Sequence, residues 1–168
     1  VESFFLAVGP WPAHLVVVAA AHPLTVIDVR EHRLPDRIVL PIFAGSAGYF
    51  FTVARITGDD DPWVRSAVVM AAAVVSLWLM AEAPGQPLGF GDVKLGGLLA
   101  LHLGWHSGEA AVFGLAMAFI CGGVWVVAGW CRRALGPGDQ IAFGPWLIAG
   151  FLFALLAVVQ SAEGGAVI

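Results

Sequence analysis

The chain has 168 residues, 60% of them hydrophobic and 12% charged, with a mean hydropathy of +0.88. Such usage excludes an ordinary soluble domain and implies an integral membrane protein. A formal net charge of -4 without a basic run gives no reason to expect a nucleic-acid partner, and Cys121 and Cys131, ten apart with no CxxC, offer neither a zinc framework nor a disulfide network.

Apolar runs of about 20 residues cross a bilayer, and six can be placed in one all-α membrane domain covering residues 1–168. No cleavable signal peptide is evident, and the missing initiator Met reads as a trimmed N-terminus. Span one runs from Phe4, or from Leu15 if Pro10 and Pro12 form an interfacial lead-in, to Ile27, with a kink expected at Pro23, and stops at Asp28. A polar loop over Asp28–Arg37 precedes span two, Ile38 to about Val53. A turn over Arg55–Asp61 precedes span three, Trp63 to Ala81. The Asp59–Asp61 run lacks the spacing of an EF-hand loop and reads as a solvated turn. Pro84-Gly85-Gln86-Pro87 breaks the helix before the short span four, Val93 to Trp105, whose Gly96-Gly97 pair lets a neighbouring helix approach closely. Span five covers Gly108 to Trp130, a loop covers Arg132–Asp139, and span six covers Ile141 to Val159.

Six of the eight basic residues, Arg30, Arg33, Arg37, Lys94, Arg132 and Arg133, fall beside the loops after spans one, three and five. Those loops are therefore expected inside the cell, and both chain ends outside. The same alternation gives Asp28 and Asp92 a common depth, at the inner edge of spans one and four.

Asp92 stands in Gly89-Phe90-Gly91-Asp92-Val93-Lys94, a carboxylate between glycines just before an apolar run. Ionisable groups at a membrane edge are rare and read as functional by default. Taken singly, Asp92 could cap span four, and Asp28 could be a stop signal paired with Arg30 or Arg33. If the bundle brings spans one and four together, the two meet there as an acid pair. Two carboxylates about 4 Å apart repel by roughly 4 kcal/mol at an effective dielectric of about 20, so one keeps its proton and the pair titrates as a unit. A carboxylate that activates water beside a carboxylic acid that polarises a carbonyl is aspartic-protease chemistry. It requires no cofactor and no metal. Gly89 and Gly91 are expected to permit unusual backbone angles and close passage of an extended peptide. Asp36 is expected to support the site or cap span two, while Lys94 either tunes local electrostatics or anchors span four at the headgroups. His102 reads as a polar contact inside the bundle. His14, His22, His32 and His106 show no ligand spacing.

Three motifs carry a resemblance: Asp28 to Asp36 as D-x(6)-P-D ending in Pro35-Asp36, then Gly89-Phe90-Gly91-Asp92-Val93-Lys94, then Phe143-Gly144-Pro145-Trp146-Leu147. In this order, across almost the whole chain, they resemble the type IV prepilin peptidase family, the GxGD membrane aspartic proteases. The resemblance implies that Asp28 and Asp92 are the catalytic pair. It implies that Gly89, Gly91, Lys94, Pro35, Asp36, Phe143, Gly144 and Pro145 are motif or substrate-positioning residues. It also implies removal of the basic leader from prepilin or pilin-like substrates at the cytoplasmic face of the plasma membrane, in contact with membrane lipid. The compact form looks like the short peptidases of Tad/Flp pilus systems or the archaeal preflagellin peptidases. Without the cysteine-bearing N-terminal domain of the bifunctional members, N-methyltransferase activity is expected to be absent. Two other classes stay open, a small transporter or proton-coupled channel and an inactive pilus-assembly scaffold, and oligomeric state has no signature.

Overall fold

A computed structural model describes residues 9–84, 88–134, 136 and 141–164. Among these residues the secondary structure is helical, in six helices: α1 Trp11–Glu31, α2 Asp36–Thr57, α3 Asp61–Ala81, α4 Phe90–His106, α5 Gly108–Cys131 and α6 Gly144–Gly164. Five of them, all except α4, are long and apolar enough to cross a membrane. Large apolar side chains such as Leu15, Val68, Val112 and Val124 are more than half exposed. In a bilayer those faces meet lipid chains of the same chemistry, so their exposure carries no hydrophobic penalty.

The remaining helix, α4, is the expected span four, and it is not among the five. With 17 residues α4 is about 26 Å long, and it is buried almost continuously from Val93 to Gly104. A helix buried on nearly every side in this way is a core element, and α4 is enclosed by α2, α3, α5 and α6. The Gly96-Gly97 pair admits α3, as expected: a Cβ on Gly97 would stand 2.5 Å from Val74 Cγ2, and one on Gly96 would run into Leu77 Cδ1. Arg65 and Ser66 of α3 then bond the carbonyls of Gly104, Trp105 and Leu101 at the far end of α4. α5 and α6 pack equally closely, because Gly114 and Gly150 put backbone against backbone.

Helix boundaries depart from the apolar runs where backbone hydrogen bonding overrides hydropathy. α1 does not stop at Asp28. It continues to Glu31 and ends where His32 turns left-handed (φ 51°) and donates to the Asp28 carbonyl. Asp28 therefore sits on the last turns of a helix, not in a loop. Pro35 gives α2 its extended entry, and Gly58 closes it at φ 70°. α4 starts at Phe90, ahead of the expected Val93, and α6 starts at Gly144, after the expected Ile141. Asp59, Asp60 and Asp61 are exposed, and Asp60 pairs with Arg55 across the turn. Cys121 and Cys131 both lie on α5 as free thiols. Gly85, Gln86 and Pro87 of the expected breaker, much of the Arg132–Asp139 loop and the N-terminal run around Phe4 lie outside the described residues.

The α1–α2 connection and the N-termini of α4 and α6 converge at one end of the bundle. Leu34 of the first packs against Gly91, Asp36 bonds Lys94 at 2.6 Å, and Gly144 bonds Asp28 at 2.9 Å. The acids are collected there.

Candidate active site

Asp28 and Asp92 arrive on helices that share neighbours without packing extensively on each other: α2 and α6 both touch α1 and α4. The acids nonetheless line one cavity of about 750 Å³, open at the converging end of the bundle. Their residues are 4% and 9% exposed, which makes them a buried carboxylate pair and not two surface charges.

Each acid is held by a backbone N–H at a helix N-terminus. Gly144 N–H donates to Asp28 Oδ2 over 2.9 Å. That amide is free because the first N–H groups of a helix have no intrahelical acceptor, and Pro145, which lacks an N–H, suits the first turn. Phe143 closes the turn by accepting from Trp146 and Leu147 at 3.0 and 3.2 Å. The partial positive charge of the α6 N-terminus therefore faces Asp28.

Asp92 makes the corresponding contact within its own helix. It occupies the third position of α4, not the cap, and its Oδ2 accepts from the N–H of the cap residue Gly89 at 3.2 Å. This is the reciprocal half of a capping box. Its other oxygen, Oδ1, is buried without a hydrogen-bond partner.

The flanking glycines act through size and not through backbone angle. Gly89 has φ −81°, and Gly91 is not among the left-handed glycines. A Cβ on Gly91 would lie 3.1 Å from Leu34 Cβ, and one on Gly89 would lie 3.3 Å from Asp92 Oδ2. The close approach that Gly91 allows is thus to the chain's own α1–α2 connection, which lines the same cavity as the acids.

Pro35, Asp36, Gly89, Gly91 and Lys94 line the same cavity as the acids. Lys94 is bound to Asp36, both partly exposed, so it ties α4 to the start of α2 at the rim. Phe143 packs against Phe119, ring centroids 4.9 Å apart and the planes tilted by 40°. Residues that the motifs did not single out also face the cavity: His32, Arg33, Arg37 and Phe90. His32 is the residue that closes α1, and its backbone N–H donates to the Asp28 carbonyl.

The larger departure is at the opposite end. His102 does make a polar contact within the bundle, to His14, but His14 in turn bonds His106, so three histidines without ligand spacing form one cluster. His102 Nε2 stays without a partner. Among the described residues no set of three His, Cys, Asp or Glu side chains is placed to hold a metal ion. A second cavity, about 280 Å³ between α3, α4, α5 and α6, is lined by apolar and small residues with Ser76 and contains no titratable side chain.

Residues 15–160 match the model of the type IV leader peptidase family. The chain belongs to that family. It is 32% identical over 87% of its length to the prepilin leader peptidase/N-methyltransferase of Pectobacterium carotovorum subsp. carotovorum, covering 51% of that protein. It is 33% identical over 94% of its length to the protein of the same name from Dickeya chrysanthemi, covering 57% of it. It is also 33% identical over 77% of its length to the leader peptidase HopD of Salmonella typhimurium, covering 83% of that protein. The chain thus spans about half the length of the two prepilin leader peptidase/N-methyltransferases. No solved structure matches it. Family membership and the five long apolar helices together make it a multi-pass membrane protein, and the matched segment contains both acids and all three motifs.

Proposed function

We propose that this member of the leader peptidase family removes the leader of prepilin-like substrates at the cytoplasmic membrane face, with Asp28 and Asp92 as an aspartic pair. The observation that carries the reading is the sharing of one cavity by two buried carboxylates from separate helices. In the proposed reaction the ionised carboxylate takes a proton from water as the water oxygen attacks the scissile carbonyl carbon. The protonated acid gives its proton to the carbonyl oxygen. When the tetrahedral diol collapses, the C–N bond breaks, the leaving nitrogen takes a proton from the first acid, and the second acid regains its own. The Gly144 and Gly89 amides orient one oxygen of each acid, leaving Asp92 Oδ1 free to act.

The cytoplasmic placement is supported by the grouping of six of the eight basic residues around the converging end. The two longer relatives are named for both leader peptidase and N-methyltransferase; the acids support the peptidase half. A transporter reading would rest on the buried histidines. It is weakened because His102 and Asp92 are ten residues apart on α4, about 15 Å, and the histidine chain ends at an atom without a partner.

The test is cleavage of a prepilin peptide, containing leader and apolar segment, by the purified protein in detergent. Wild type is expected to yield the shortened product, and Asp28→Asn and Asp92→Asn are each expected to lose it. Asn at position 92 can still accept from Gly89, so that variant should insert and melt like wild type. Normal processing by either variant would overturn the assignment, as would loop labelling that places positions 28 and 92 on opposite sides of the membrane.

A further inference from the structure

The two helices that deliver the acids carry the histidine cluster at their other ends. His14 precedes Asp28 by fourteen residues on α1, and His106 follows Asp92 by fourteen on the antiparallel α4, about 21 Å in each case. His14 Nδ1 lies 2.7 Å from His102 Nδ1, and His14 Nε2 lies 2.8 Å from His106 Nε2. A neutral imidazole has one N–H and one lone pair. His14 therefore donates on one side and accepts on the other, and three neutral rings satisfy both links. Among the described residues these are the side-chain hydrogen bonds that join α1 directly to α4. Phe50 of α2 packs edge-on against His14 and His102, Phe151 of α6 meets His102, and Arg65 of α3 holds the last carbonyls of α4 beside His106.

Apolar contacts alone do not fix how α1 is turned. Leu15, Val16 and Val18 face outward, and Ala13 and Val17 face the core, but both sets have the same chemistry. Lipid chains are as apolar as leucine, so packing between membrane helices lacks the hydrophobic drive that selects one face in water. Directional polar links supply what the pattern omits, as single buried polar residues do in setting coiled-coil register. α1 is continuous from Trp11 to Glu31 through Pro23, so a rotation at His14 is carried to Asp28. A 20° turn would move a carboxylate lying 5–6 Å from the helix axis by about 2 Å. A misplacement of about 1 Å can cost about 10²-fold in rate.

We propose that His14, His102 and His106 are positioning residues, a polar clamp at one end of α1 and α4 that sets the rotation and register bringing Asp28 and Asp92 together at the other. The proposal rests on the reading of those acids as the catalytic pair. The clamp acts through them and touches no substrate. Gly144 fixes one oxygen of Asp28 locally, while the clamp fixes the helix that presents it.

The experiment uses the full chain in detergent. His106→Leu removes one link at a half-buried position, and His106→Gln returns a hydrogen-bonding atom near the Nε2 site. His102→Leu and His102→Asn make the same comparison at Nδ1 of the buried ring. With a prepilin peptide as substrate, the Leu variants are expected to lose about 10²-fold in kcat with KM nearly unchanged, and the Gln and Asn variants to recover most of it. A second readout is independent of cleavage. With Cys121 and Cys131 replaced by Ala, Asp28→Cys and Asp92→Cys are combined and joined by a short thiol cross-linker, and His106→Leu is expected to slow that reaction. Wild-type kcat in His106→Leu, no advantage of Gln over Leu, or an unchanged cross-linking rate would each overturn the clamp. A wild-type protein that does not cleave would sink the peptidase reading and leave the cross-link to decide the clamp.

Discussion

The backbone amide of Gly144 reaches the Asp28 carboxylate across 116 residues of sequence, at 2.9 Å. A Cβ at position 144 would stand 2.7 Å from Asp28 Oδ2 and 3.1 Å from Cγ. The contact requires both a free N–H and a missing side chain, and the first residue of a helix that continues with proline meets the first condition without cost to the helix.

Gly144→Ala is therefore expected to push the Asp28 carboxylate away from its donor and lower kcat for leader cleavage by about 10²-fold. Alanine is a better helix former than glycine, so the melting temperature in detergent should fall little. Steady-state kinetics beside a thermal melt check both halves. A variant with normal kcat would show that Asp28 does not need this orientation.

Glycines in the helix contacts should differ in cost according to what a methyl group meets. On Gly150 it would strike the Gly114 carbonyl oxygen and lie 2.8 Å from Ala118 N. Both are backbone atoms that move only with their helix. On Gly96 it would strike only the end of the Leu77 side chain, which can change rotamer. Gly150→Ala is expected to destabilise by about 1–3 kcal/mol, as overpacking does, and Gly96→Ala by clearly less. Unfolding titrations of the two proteins in mixed micelles measure the difference, and the reverse order would contradict the packing of α5 on α6.

Lys94 and Asp36 form an ion pair at the cavity rim, with side chains 40% and 53% exposed. Exposed pairs contribute at most about 1 kcal/mol. Asp36→Asn should leave stability within that range, and because Asp36 lines the cavity without sharing the acids' burial, its effect on cleavage should appear in KM and not in kcat. A collapse of kcat in Asp36→Asn would move this residue into the catalytic machinery.

Much of this molecule is local and was legible as such. Apolar runs marked the helices, Pro35 and Gly58 marked the two ends of α2, and the three motifs contain the acids and the small residues that crowd them. The misplaced end of α1 and start of α4 share one cause. Hydropathy ends at Ile27, but helical hydrogen bonding continues through Asp28 to Glu31 until His32 turns left-handed. The same effect moved Asp92 from the cap of α4 to its third residue.

The sequence by itself determined a polytopic helical membrane protein, because length and hydropathy act over one helix at a time. Tertiary structure alone decided that Gly144 would serve Asp28, that Gly91 would seat Leu34, and that His14 would bridge His102 and His106. Those contacts depend on the rotation of each helix about its axis, and a helix apolar on the faces toward both lipid and core carries no hydropathy signal that fixes that angle.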